Sequence, residues 1–266
     1  MSVRTIKAGA LEYLAADNIS VPHAFTTRFG GVSQGYLASL NLGLYRGDAP
    51  ENVAENFRIL GSAIGFSVSD LVLTRQTHSD IVRQVSRADA HGIDNHAYPE
   101  SDAIITNDPG TALWVFTADC TPILLHDPVT GAVGAAHAGW RGTAAGIAAK
   151  TAEAMVSAYG CRRSDICAAI GPNIGPCCFE TDADVPQAML QALGSDAEAC
   201  IRQSGVKYYV NLKELNALWL RRCGIQNIEI SSDCTACQPD RFWSHRITRG
   251  NRGSQGAVII CKEATA

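Results

Sequence analysis

The sequence has 266 residues, 46% of them hydrophobic and 18% charged, with a formal net charge of -4 at pH 7. A chain of this length buries most of the surface its unfolded form exposes and lies near the upper size for one core, so residues 1–266 are expected to form a single catalytic domain. The weak acidic balance and the lack of a basic stripe leave nothing to draw the chain to nucleic acid or to an anionic membrane, and neither partner is expected.

No apolar run approaches the roughly 20 residues of a membrane helix, and residues 1–10 hold no stretch of signal-peptide length, so a cytoplasmic location is expected. The ten cysteines are expected to be thiols, because disulfide frameworks belong to short secreted chains. In chain order, the first clear element is a helix opening at Asp48-Ala49-Pro50-Glu51, with Asp48 as capping acceptor and Val53, Phe57 and Leu60 on one face. Residues 71–74 and 80–85 read as short strands flanking the loop Arg75-Gln76-Thr77-His78. That loop puts His78 at a strand end, where sites are commonly built.

Residues 112–116 and 121–125 are β-type runs, Asp127-Pro128-Val129-Thr130-Gly131 is a turn, and residues 132–137 return as small and β-branched side chains. With a four-residue loop at 127–130 the hairpin sets Cys120 directly opposite His137, and a five-residue loop shifts that match by one. Directly opposed residues have Cβ atoms about 4.5 to 5.5 Å apart. An amphipathic helix follows with Ile147, Ala148, Ala152, Met155 and Val156 on one face and Gly160 past its last turn. Further on, residues 166–170 and 228–231 read as strands, 212–223 as a helix, and 257–261 as a buried strand. The fold class expected is α/β (α+β mixed), a single domain of mixed β-sheets covered by helices.

Zinc takes imidazole nitrogen and thiolate sulfur, and a catalytic site supplies three protein ligands with one position open. His78, Cys120 and His137 fit that count, although 41 and 16 residues separate them, and a buried thiol with satisfied core histidines accounts for the same residues. His23, His91, His96 and His126 are expected on the surface. His245, beside Arg246 and Arg249, is read as part of a solvated loop, with an anion site as the alternative. Cys177-Cys178 and Cys234-Thr235-Ala236-Cys237 offer four thiols for a structural zinc or a redox pair. They are expected to be free, because a vicinal pair chelates awkwardly and no thioredoxin-like βαβ pattern surrounds the C-x-x-C.

Several motifs carry a resemblance. Phe25-Thr26-Thr27-Arg28-Phe29-Gly30-Gly31-Val32-Ser33, Ser39-Leu40-Asn41-Leu42-Gly43, Gln76-Thr77-His78, Thr117-Ala118-Asp119-Cys120-Thr121-Pro122, Ala136-His137-Ala138-Gly139-Trp140-Arg141-Gly142 and Ile170-Gly171-Pro172-Asn173-Ile174-Gly175-Pro176 stand in family order. The likeness runs on through Phe242-Trp243-Ser244-His245-Arg246. On these residues the chain resembles the YfiH/YlmD family, the laccase-domain or "polyphenol oxidase" proteins. The resemblance implies zinc held by His78, Cys120 and His137, with copper as an alternative occupant in some preparations.

It also implies one of three activities: copper phenol oxidation, purine nucleoside phosphorolysis with adenosine deamination and methylthioadenosine cleavage, or editing of peptidoglycan precursors. Coupled copper oxidation uses imidazole-rich centres, and seven histidines with no His-x-His argue against it. No His-x-Glu precedes a Pro-Cys-x-x-Cys, so any deamination uses an arrangement other than that of the known zinc deaminases. The expected function is a zinc-dependent purine nucleoside phosphorylase acting on a small nucleoside and phosphate. An amidase editing cell-wall precursors is the enzymatic rival, and a metal or redox sensor built on the four thiols is the rival from another class. Arg28 and Arg141 are candidates for phosphate, with the helix N-terminus after Gly142. Gln76 and Asn41 are candidates for base or sugar, and Asp119 for orienting a ligand or moving a proton.

Overall fold

Alternation along the longest strands decides what lies on each side of them. The computed structural model describes residues 3–94 and 97–263, so His96 lies outside the described residues. One six-stranded sheet runs, in spatial order, β1 (Arg4–Ala8), β2 (Leu11–Ala15), β3 (His23–Thr26), β15 (Gln255–Ile260), β7 (Ala112–Thr117) and β4 (Leu71–Val72). A second runs β14 (Asn227–Ile230), β10 (Cys167–Ile170), β8 (Thr121–His126), β9 (Val133–Ala138), β6 (Ala103–Thr106) and β5 (Val82–Gln84). Both are mixed, with β4 parallel to β7, β5 parallel to β6 and β14 parallel to β10.

The two sheets face each other. Leu113 and Val115 of β7 pack with Leu124 of β8 and Val133 and Ala135 of β9 in one apolar layer. The alternate residues of β7, Ala112 and Trp114, turn the other way onto α1 (Pro50–Ile64) through Val53, Phe57 and Leu60. Phe57 meets Trp114 edge-on with ring centroids 5.0 Å apart, and burying each such side chain contributes roughly 1.5–3 kcal/mol. On the far side of the second sheet, Ile123 and Leu125 of β8 pack under α3 (Ile147–Tyr159) and α5 (Leu212–Arg222). The result is a four-layer α/β/β/α stack. Sheets covered on both faces explain why their strands read as unbroken apolar runs.

A short α2 (Trp140–Ala144) precedes α3, separated from it by a turn at 145–146. A third sheet, β11 (Glu180–Thr181), β13 (Lys207–Val210) and β12 (Ile201–Ser204), packs with α4 (Asp184–Leu193) against α5. One further short helix is α6 (His245–Thr248).

Three expectations are corrected. Asp48 does not cap α1: Ala49 is the cap residue with no side-chain bond, while Asp48 accepts from Ser33, Asn41 and Asn52 and fastens the loop before the helix. The hairpin register differs by two, since Pro122 stands opposite His137 and His126 opposite Val133. The loop is still four residues, but it comprises Pro128 to Gly131, closed by the bond from Asp127 N to Ala132 O. Gly131 adopts φ +74°, and the Asp127 carboxylate accepts from Val129 and Thr130 N–H, which moves the turn one residue along. Finally, His23 and His126 are buried: His23 Nε2 accepts from Ala16 N, and burial lowers the His126 pKa to about 4.

Candidate functional site

Cys120 sits just ahead of β8, diagonally across the hairpin from His137 on β9, so the two-residue correction keeps both on the same face of the pair. Their neighbour comes from the β4–β5 loop. His78 takes a left-handed backbone, φ +61°, and Asp119 does the same at φ +81°. Only a held backbone keeps non-glycine residues there, and two carboxylates hold it. Asp102, fully buried, accepts from the backbone N–H of Thr77, His78 and Ser79 at 3.1, 3.1 and 2.7 Å and from the Ser79 hydroxyl at 2.7 Å. It also takes a 2.8 Å bond from His137 Nδ1. That leaves Nε2 of His137 facing the site, the arrangement by which a carboxylate orients a metal-binding imidazole.

The donor atoms of His78, Cys120 and His137 all lie within 4.8 Å of one another, and His78 Nε2 stands 3.7 Å from Cys120 Sγ. A tetrahedral zinc with ordinary bond lengths sets sulfur and nitrogen about 3.6 Å apart, so the donor set fits that ion. Gly139 allows the closeness: a Cβ there would meet His78 Cδ2 at 2.6 Å and Cys120 Sγ at 3.4 Å. Burial alone would raise the Cys120 pKa, but the charge of His137 and hydrogen bonds from His137 and His78 bring it down to about 6. Burial would lower His137, and the Cys120 thiolate and Asp102 raise it. The Asp102 carboxyl, despite its burial, is held well below the usual range by bonds from His137 and Ser79. The metal-free trio is therefore a Cys120–His137 ion pair beside a second imidazole, and a metal bound there would displace the proton of His137.

The centre lies in a cleft of about 730 Å³. Phe116, Phe179, Tyr45 and Tyr98 line its walls, and Arg46, Arg246 and Arg252 bring positive charge to one side, where burial and these cations lower the pKa of His245. Arg252 is the telling cation. It donates to Gly253 O and Ser254 Oγ, its buried Nε has no partner, and among the described residues no carboxylate pairs with it. Burial and the neighbouring Arg46 lower its pKa to about 10.

The other sequence candidates fall in different places. Gln76 lines the cleft with its amide paired to Phe116 N and O. Arg28 donates to Ala38 O and Pro239 O and lies 3.9 Å over the Trp243 ring. Asn41 is fully buried and binds Asp48, Gly43 N and Ser254 N. Arg141 is exposed on the five-residue α2, 4.3 Å over the Trp140 ring. Asp119 accepts from Thr235, Ser244 and Arg246 N at 2.6, 3.0 and 2.7 Å, which makes it an anchor for the loops beside Cys120. Asp102 and Arg252 stand outside the residues that sequence reasoning assigns to the site. The chemistry of histidine ligands, which want a carboxylate on the second nitrogen, is the signal that could have prompted a search for Asp102.

A four-layer α/β/β/α fold with an open His₂Cys centre at the foot of a cationic, aromatic cleft defines the class. The family model described as "Multi-copper polyphenol oxidoreductase laccase" matches residues 22–262, and the chain belongs to this laccase-domain family, that of YfiH and YlmD. It is 41% identical over 252 residues to a protein of Deinococcus radiodurans named purine nucleoside phosphorylase, covering 95% of this chain and 94% of that one. Escherichia coli purine nucleoside phosphorylase YfiH is 36% identical over 221 residues, 83% of this chain and 86% of that protein. The crystal structure of YlmD from Geobacillus stearothermophilus superposes with a TM-score of 0.91 at 35% identity, covering 98% of this chain and all of that one. No helix among the described residues is long and apolar enough to cross a membrane.

Proposed function

We propose that this protein is a zinc-dependent purine nucleoside phosphorylase acting on adenosine, inosine and methylthioadenosine. The observation that carries the reading is the cleft itself, where a three-ligand centre and a half-buried arginine with no carboxylate partner among the described residues face one aromatic-walled space of nucleoside size. The names of the relatives support it. Phosphorolysis breaks the C1′–N9 bond of the nucleoside as a phosphate oxygen bonds C1′, releasing the base and ribose 1-phosphate. His78, Cys120 and His137 would hold the ion, which when bound supplies a Lewis acid to polarise an oxygen ligand.

The chain's own residues do the rest. Arg252, with Arg46 and Arg246 on the same wall, binds the phosphate dianion through its charge and the guanidinium N–H groups not used by Gly253 and Ser254. Phe116, Phe179 and the two tyrosines receive the flat base. Asp102 fixes the tautomer and ring orientation of His137, and Asp119 fixes the loop from 119 to 120. Arg28 and Asn41 support the wall that bears Arg252 through Trp243 and Ser254. Deamination of adenosine at C6 is assigned to the same centre as a secondary activity. Copper phenol oxidation is not favoured, because among the described residues this centre is the only ligand group containing imidazole.

The test is to incubate zinc-loaded protein with adenosine, inosine and methylthioadenosine, with and without phosphate, beside a muropeptide panel, and to read products by mass. Free base is expected with ribose 1-phosphate, or with 5-methylthioribose 1-phosphate from methylthioadenosine, lost on chelation and restored by zinc, with the chelated protein still folded. Release of base without phosphate, or cleavage of the muropeptides alone, would replace this reading with a hydrolase.

A further inference from the structure

A second cluster of ligating side chains lies behind the cleft wall. Cys177 and Cys178 follow the turn at Gly175, and Cys234 and Cys237 flank the turn on the neighbouring segment. The structure brings all four sulfurs within 4.8 Å of one another, with Cys237 Sγ 3.3 Å from both Cys177 Sγ and Cys178 Sγ. The vicinal pair therefore points both thiols to one spot. Four sulfurs in a tetrahedron around zinc, each about 2.3 Å from the ion, stand about 3.8 Å apart. Disulfides need about 2.05 Å, and all four are free thiols.

The surroundings of Cys234 favour a thiolate. Gly175 N–H donates to Cys234 Sγ at 3.1 Å, and a side chain at Gly175 would meet Cys234 Cβ at 3.2 Å and Cys177 Sγ at 3.3 Å. The buried Lys213 ammonium donates to Ser231 O and Asp233 O, both at 2.7 Å, which sets a positive charge beside Cys234. Cys177 and Cys237 are exposed, so the cluster has an entry path.

We propose that Cys177, Cys178, Cys234 and Cys237 form a second, structural site for one zinc ion, separate from the His₂Cys centre and independent of the reaction assigned to it. Each thiol entering the shell releases its proton to solvent as its sulfur bonds the ion. The site ties together two segments that already touch: Thr235 N donates to Asn173 O, and Ile174 N and Thr235 Oγ1 both donate to Asp119. Arg246, through its bond to Cys178 O, ties the same unit to the cationic wall. Zinc here would fix the anchor beneath Cys120 without touching substrate.

Metal content per chain, measured by elemental mass spectrometry on protein purified under reducing conditions with zinc present, should be about two for the natural chain. Cys120→Ala/His137→Ala and Cys234→Ser/Cys237→Ser should each hold about one. Cobalt added to metal-free Cys120→Ala/His137→Ala protein should give the strong sulfur-to-metal absorption of a four-thiolate tetrahedron. If the cysteine variant does not fold, alkylation of the natural protein decides, because zinc should protect Cys177 and Cys237, exposed as they are, and chelation should unprotect them. A total of one zinc with all four thiols freely alkylated, iron in place of zinc, or a disulfide among them under reducing conditions would each overturn the proposal.

Discussion

Replacing Asp102 with asparagine probes the centre through a residue that is not itself a ligand. The carboxylate accepts five hydrogen bonds while fully buried. Asparagine keeps one acceptor oxygen, and the best placement leaves it on the Oδ1 side, serving His137 Nδ1 and His78 N. Its NH₂ then faces the N–H groups of Thr77 and Ser79, and the Ser79 hydroxyl can turn to accept. Two part-buried backbone donors lose their partners at up to about 1–3 kcal/mol each, so the fold should lose at most roughly 2–6 kcal/mol. Loss of the charge behind His137 should weaken zinc binding about 10- to 100-fold.

The pH dependence has a definite sign. The Asp102 carboxyl titrates below its unfolded value, so its contribution is present above the ordinary carboxylate range and lost as pH falls toward the low folded value. Asp102→Asn should flatten that acid-side loss. Thermal unfolding across pH and zinc competition against a chelator measure both effects. If the variant keeps the natural zinc affinity within about twofold, well under 1 kcal/mol, the carboxylate does not orient the ligand and the account of the centre fails.

The Cys120–His137 pair gives a second measurement. In metal-free protein, alkylation of Cys120 should accelerate through an inflection near pH 6, and His137→Ala should move it back toward the ordinary 9.0; an unmoved inflection refutes the ion pair. Its stabilisation fades as pH falls through about 6, where Cys120 protonates, and as pH rises through about 9, where His137 deprotonates. Arg252→Ala should raise the phosphate KM about 10- to 100-fold with the fold intact, while Arg28→Ala should lower the unfolding midpoint and leave that KM within a few-fold. The reverse pattern would return the anion to Arg28. Gly139→Ala drives a methyl into the His78 ring and should cut zinc content by at least about tenfold at limiting metal, a result that metal analysis checks directly.

Much of the stack was legible because its strands are local patterns with firm punctuation. The runs at 112–116 and 121–125 emerged within two residues of β7 and β8, and Gly160 ends α3 in the left-handed conformation. The sheets could not be sorted from the same runs. β15 closes the first sheet by pairing with β3 and β7 from the far end of the chain, and a segment buried on both faces carries no periodicity to say which neighbour it wants. The hairpin register depended on whether Asp127 or Pro128 began the loop. Composition cannot decide that, and the hydrogen bonds of the Asp127 side chain do.

The site was legible in its ligands and not in its supports, for a physical reason. Imidazole and thiolate are rare donors, so His78, Cys120 and His137 stand out of a sequence by type alone. A carboxylate is common on surfaces, and nothing local separates Asp102 and Asp119 from the other acidic residues. Their roles arise from what reaches them: Asp102 collects a loop 23 to 25 residues upstream and a histidine 35 downstream, and Asp119 collects donors more than 110 residues away. Both anchors hold left-handed backbone or its neighbour in place, at His78 and at Asp119 itself. Such backbone costs of order 1–3 kcal/mol per residue and persists only where several bonds over-determine it. The strain thus marks the ends of the two loops that must converge on one ion, with two buried carboxylates supplying the hydrogen bonds that keep them there.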